Sequence, residues 1–270
     1  MQGSSRAAAV ASREALTGAL AAGADRSQLA EELFAVAGAL DGNVTLRRAL
    51  ADPSREGVAK VDLVQRLFGT KVGTAALTVL KGIASQRWSS ERDLSDTVEA
   101  YAVESLIASA EEAGRADRVE DELFRFERIV AADADLRTAL GNQGVAADKR
   151  SALVDSLLAG KVSDETLRLA RQAVVAPRGR RFDRTVAHFL EVAAKRREQQ
   201  TATVTSAVPL SESDRERLAR GLATVYGGKV HLNAVVDPRV MGRIKVEIGD
   251  EVIDVTVLRK LEGARRAMGA

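Results

Sequence analysis

Cysteine is absent from these 270 residues. The chain therefore has no disulfide framework, no thiolate metal site and no cysteine nucleophile. Aromatic residues make up only 3% of it, and alanine, leucine, arginine and glutamate abound in their place. Such small and unbranched side chains favour helices. An excess of one charge is also missing: 40 basic against 38 acidic residues leave a formal net charge of +2, too little by itself to imply nucleic acid. No apolar run reaches the ~18–20 residues that a membrane span needs. The opening, MQGSSRAAAVASREALTGAL, mixes charge into its apolar positions, so no signal peptide is expected.

The residues of catalysis are equally sparse. No GxxxxGK[ST] loop occurs, and Gly160-Lys161 lacks both the upstream glycine and the following hydroxyl. His188 falls on an amphipathic helix and His231 on the polar side of a strand, neither with further ligands at metal-site spacing. Carboxylates interleave with arginines, as in SDRERLAR, which describes a solvated helix face. No enzyme, cofactor or metal is expected.

What is present is helical periodicity. Helices are predicted over Ser4–Leu20, Ser27–Leu40, Val44–Leu50, Ser54–Phe68 and Val72–Ala84, with the polar QRWSSERD as a loop and a long helix from Leu94 to about Ala113. Further helices follow over Val119–Ala132, Ala134–Leu140, Ala147–Leu158, Ser163–Ala176 and Phe182–Gln199. The second group repeats the first. Leu33-Phe34 recurs 90 positions on as Leu123-Phe124, and Leu46-Arg47, Ala49-Leu50, Leu63-Val64 and Lys71-Val72 recur at the same spacing. A common helical period does not by itself hold one offset across three helices and their loops, so an internal duplication is expected.

The period then changes. Ala202, Val204, Ser206 and Val208 alternate as in a strand, and Pro209 ends it. Ser211, or Ser213 with Glu216, caps a helix that runs to about Tyr226 and stops at Gly227-Gly228. Two more alternating strands follow. Val230, Leu232, Ala234 and Val236 share a face of one, and Ile244, Val246 and Ile248 share a face of the other, with Asp237-Pro238 opening the connection and Gly242 closing it. Gly249-Asp250 turns the chain toward Val252-Ile253, and a final helix carries the stripe Val257, Leu258, Leu261, Ala264 and Met268.

Read in order, Asp237, Met241-Gly242-Arg243, IKVEI, Gly249-Asp250, Val252-Ile253 and Asp254 resemble the C-terminal signature of the delta subunit of F-type ATP synthases, the oligomycin-sensitivity-conferring protein family. Arg243 stands where the family's second glycine usually sits, and Val255-Thr256 replaces a common Gly-Ser. Each helical group resembles the family's N-terminal bundle. Most members carry one bundle; two make this chain similar to the longer actinobacterial form. The resemblance implies a mostly α protein of two tandem helical bundles, residues 1–98 and 99–200, followed by a β-α-β-β-α domain, residues 201–270.

The function implied is that of a non-catalytic stator subunit, which ties the catalytic head to the peripheral stalk and resists rotor torque. It implies two partners, the N-terminal helix of an alpha subunit and the C-terminal end of the stalk b subunit. It implies a peripheral location at the cytoplasmic face of the plasma membrane, held there only through the complex. The second bundle is the expected alpha receptor, with Tyr101, Leu106, Leu167 and Val174 as groove residues. Asp237, Gly242, Gly249, Asp250, Ile253 and Asp254 carry the signature, and Leu258 and Leu261 are expected to contact the b subunit or the core. Two other readings compete. One is a helical adaptor of another complex. The other is a nucleic-acid binder built on Arg178, Arg180, Arg181, Arg184, Lys195, Arg196 and Arg197, against which the aromatic interleaving is poor, since Phe182 and Phe189 share one helical face as core residues do. Trp88 is either a packing lid or a partner anchor.

Overall fold

The computed structural model describes residues 3–199, 201–226, 230–237, 239–240, 244–248 and 251–254. The chain divides into two compact units, Met1–Ala193 and Ala194–Ala270. The first is helical: α1 (Gly3–Ala21), α2 (Arg26–Gly42), α3 (Val44–Ala51), α4 (Gly57–Phe68), α5 (Thr74–Ala84), α6 (Glu91–Glu112), α7 (Ala116–Ala132), α8 (Ala134–Gly141), α9 (Ala147–Leu158), α10 (Asp164–Val175) and the greater part of α11 (Phe182–Gln199), whose end from Ala194 on falls in the second unit. Every helix expected here is present. The fourth begins later than expected, because Ser54 turns back to Asp52: its N–H and hydroxyl donate to Asp52 Oδ1 at 2.9 and 2.6 Å. The expected division at residue 98 falls inside α6, which runs unbroken through it.

The helix limits repeat. Shifted by 90 positions, α2, α3 and α4 coincide with α7, α8 and α9. So do the contacts that set those limits. Asn43 Oδ1 accepts the Leu46 N–H at 2.9 Å, and Asp133 Oδ1 accepts the Leu136 N–H at 2.9 Å, each capping a short helix. Arg47 donates to the Asp41 carbonyl, and Arg137 to the Ala131 carbonyl. Glu32 accepts the Gly73 N–H that opens α5, and Glu122 the Ser163 N–H that opens α10. Gly23 and Gly114 each end a helix at positive φ, 79° and 68°, a conformation that only glycine adopts without strain.

The second unit holds β1 (Thr201–Ser206), α12 (Glu212–Tyr226), β2 (His231–Val236), β3 (Ile244–Ile248) and β4 (Glu251–Asp254). The sheet order is β2-β1-β3-β4; β1 runs parallel to β2 and antiparallel to β3, and β3 runs antiparallel to β4. Ser211 caps α12 by accepting the Asp214 N–H at 3.1 Å, which selects the first of the two expected caps. Ala202, Val204, Leu222, Val230, Val246 and Ile248 form the core. Val208 lies beyond the end of β1 and is exposed, so the first strand is one alternation shorter than expected. The run Val252-Ile253 is the fourth strand. The expected closing helix lies outside the described residues.

Candidate functional site

The helical unit is built around α6. From Leu94 to Ala108 all but two of its side chains are buried, the exceptions being half-buried Asp96 and Ala100. The Tyr101 hydroxyl donates to the Ala9 carbonyl of α1 at 2.7 Å and lies 3.0 Å from the Ser12 hydroxyl. Burial pushes its pKa up to about 12, so it serves as a neutral hydrogen-bonding group. Arg13 of α1 pairs with Glu104 at 2.8 Å, and the Ser27 hydroxyl of α2 meets that of Ser109 at 3.0 Å.

A buried polar junction joins α2, α6 and the turn before α11. Glu99 is fully buried and takes Arg178 Nη1 at 3.0 Å and Arg180 Nη2 at 2.6 Å. Arg178, with its backbone at φ 55°, also reaches Asp41 at 2.7 Å and Asp96 at 2.9 Å. Burial works against its charge, but Glu99, Asp41 and Asp96 outweigh it and hold its pKa above the ordinary value. His188 lies 3.9 Å from Glu99; burial first, then Arg180, pushes its pKa down. Arg178 and Arg180, the front of the expected basic group, are thus turned inward and paired. Trp88 is a packing lid: it is buried and donates Nε1–H to the Ile83 carbonyl at 2.9 Å.

The residues expected to line a partner groove divide. Tyr101, Leu106 and Val174 belong to the chain's own core, and Leu167 is half-buried at its edge. The reason is the first helical set. The guanidinium of Arg168, next to Leu167, stacks 4.6 Å over the Phe34 ring and pairs with Glu31, so α2 already lies beside α10. On the sheet, Asp237 follows β2, donating its N–H to the Ser206 carbonyl at 2.9 Å and accepting the Arg239 N–H at 3.0 Å. Hydrogen bonds from the Arg239 side chain and N–H lower its pKa. Ile253 and Asp254 stand opposite Val246 and Lys245 in the β3–β4 register. Gly242, Gly249, Asp250, Leu258 and Leu261 lie outside the described residues. Among the described residues no group of acidic or histidine side chains is arranged to hold a metal, and no helix is long and apolar enough to cross a membrane.

The model of one protein family, ATP synthase delta (OSCP) subunit, matches residues 98–268. The chain is 44% identical over 267 residues to ATP synthase subunit delta of Kineococcus radiotolerans, which covers 98% of this chain and 97% of that protein. It is 44% identical over 269 residues to ATP synthase subunit delta of Streptomyces avermitilis, covering 99% and 98%. The protein of that description from Thermobifida fusca is 42% identical over 245 residues, covering 91% of each.

Proposed function

The chain belongs to the ATP synthase delta (OSCP) subunit family, and from that premise we propose how it does its work. It is a non-catalytic stator subunit of the peripheral stalk. The observation that carries this is the similarity to delta subunits along nearly the whole chain. Resisting torque calls for packed helices and apolar docking faces, with no reactive group. A continuous α6 inside both helical sets, pinned by the Glu99 junction, suits a stiff link.

The helical unit receives the N-terminal helix of an alpha subunit, and the β-rich unit grips the end of the stalk b subunit, so that the protein lies at the cytoplasmic face of the plasma membrane through the complex alone. The second helical set is the alpha receptor in this reading, supported by a family match that begins at residue 98. The burial of Tyr101, Leu106 and Val174 favours a second reading, with the receptor in the first set. Leu167 and Leu77 are half-buried at equivalent places, 90 residues apart, and separate the two. A glutamate at the receptor position puts a charge into an apolar floor, where desolvation costs several kcal/mol. With circular dichroism confirming the fold of each variant, an alpha N-terminal peptide should bind Leu77→Glu normally and Leu167→Glu weakly. The opposite result moves the receptor to the first set. Equal, undiminished binding to both removes the helical unit as the receptor.

A further inference from the structure

A cavity of about 240 Å³ opens between α7, α8, α9 and the turn before α11. Four arginines line it, Arg137, Arg150, Arg180 and Arg181, against one carboxylate, Asp183. Two of these cations already have carboxylate partners: Arg180 pairs with Glu99, and Arg181 with Asp183 of the same wall at 3.2 Å. Arg137 spends one N–H on the Ala131 carbonyl and faces no carboxylate within ion-pair distance among the described residues.

Arg150 is the anomaly. It is only 7% exposed, and its Nε–H is buried without a hydrogen-bond partner among the described residues. Arg180 Nε is buried and unpartnered in the same wall. A buried guanidinium left without an acceptor carries a desolvation cost that folded proteins rarely leave unmatched. The first helical set shows how the position is closed when nothing else is to bind. There the residue 90 places earlier is Lys60, also buried, and its ammonium donates to the Gln86 carbonyl at 2.5 Å. In the second set the cation is kept, the internal acceptor is gone, and a cavity stands in its place.

We propose that this cavity is an oxyanion site that takes a phosphate group, free or at the end of a small phosphorylated molecule. Planar guanidinium forks match phosphate oxygens two at a time, and several of them around one point suit a dianion better than a single carboxylate. The cavity lies below the ~300–1,000 Å³ of ordinary ligand pockets, which fits a phosphate group with the rest of any larger molecule left outside. The remainder of the wall includes the apolar side chains of Phe182 and Leu140.

The test is calorimetric titration of the full chain with inorganic phosphate, and separately with ATP, at constant ionic strength. One saturable phosphate per chain is expected, with affinity reduced at least tenfold in Arg150→Gln. Arg137→Gln, at an exposed position, should reduce it several-fold and covers the case in which Arg150→Gln does not fold. Tighter binding of ATP than of phosphate, lost in the same variants, identifies the source as a nucleotide. The proposal is overturned by the absence of saturable binding, by affinity unchanged in the folded variants, or by malonate binding as well as phosphate, which would make this a receptor for carboxylates.

Discussion

At the scale of single residues, the positions that set the fold are charged groups whose partners lie far away in sequence. Glu122 is the clearest. Its Oε2 accepts the Ser163 N–H at 2.9 Å and the Ser163 and Thr166 hydroxyls at 2.7 Å each, and Arg118 donates to Oε1 at 2.7 Å. Burial alone would raise its pKa; these bonds outweigh burial and lower it from 4.5 to about 2. A depressed carboxylate pKa stabilises the fold fully above the unfolded value and loses that contribution as pH falls toward the folded one. Glu122→Gln should therefore destabilise the helical unit by about 2 kcal/mol at pH 7, the scale of hydrogen bonds to a charged group. Urea denaturation of both proteins should show the gap narrowing as pH is lowered from about 4.5 toward 2. A gap that stays constant across that range would mean that the carboxylate charge is not what holds the start of α10. The role was hidden in the sequence because Glu122 reads there as one more exposed acid on an amphipathic helix. The same holds for Arg150. Its alignment with Lys60 at the 90-residue spacing was the available signal, but spacing cannot tell a cation with a buried partner from one without.

At the scale of elements, period and turn chemistry made the helices legible, and the long-range neighbours decided what each face meets. Phe34 and Phe124 occupy equivalent positions and look alike in sequence. Phe34 is buried under Arg168, while Phe124 is 55% exposed. Likewise the stripe holding Tyr101 and Leu106 was correctly apolar, but α1 and α2 cover it where a partner was expected. Close approach is another property that period does not report. A Cβ added to Gly82 of α5 would sit 2.6 Å from the Ala15 Cβ of α1, well inside van der Waals contact. Gly82→Ala gains helix propensity of up to ~1 kcal/mol, yet forces two helix backbones apart, and overpacking of this kind costs ~1–3 kcal/mol. The variant should be the less stable by about 1 kcal/mol in thermal or urea melts. A stabilised variant would show that α1 and α5 are free to separate.

At the scale of the whole molecule, the 90-residue repeat and the continuous α6 together say how the helical unit was assembled. We read it as a duplication in which the last helix of one set became the first of the next. A chain of two separable bundles would tolerate a cut between residues 98 and 99; a chain that shares a helix would not. Residues beyond 98 supply the first set with the Tyr101 bonds to α1, the Arg13–Glu104 pair, the Ser27–Ser109 contact and the Arg26–Glu112 pair at 2.6 Å. They also bring Tyr101, Leu106 and Ile107, all buried, and burying one such side chain contributes ~1.5–3 kcal/mol. Against a total stability of ~5–15 kcal/mol for an ordinary domain, losing several of these removes most of the margin. A fragment of residues 1–98 should therefore show weak helical dichroism and no cooperative melt. A fragment of residues 1–115, which keeps α6 to its glycine cap at Gly114, should melt cooperatively, though at a lower temperature than the full chain. Equal cooperativity in the two fragments would show that the first set ends at residue 98 after all, and that α6 joins two independent bundles without belonging to both.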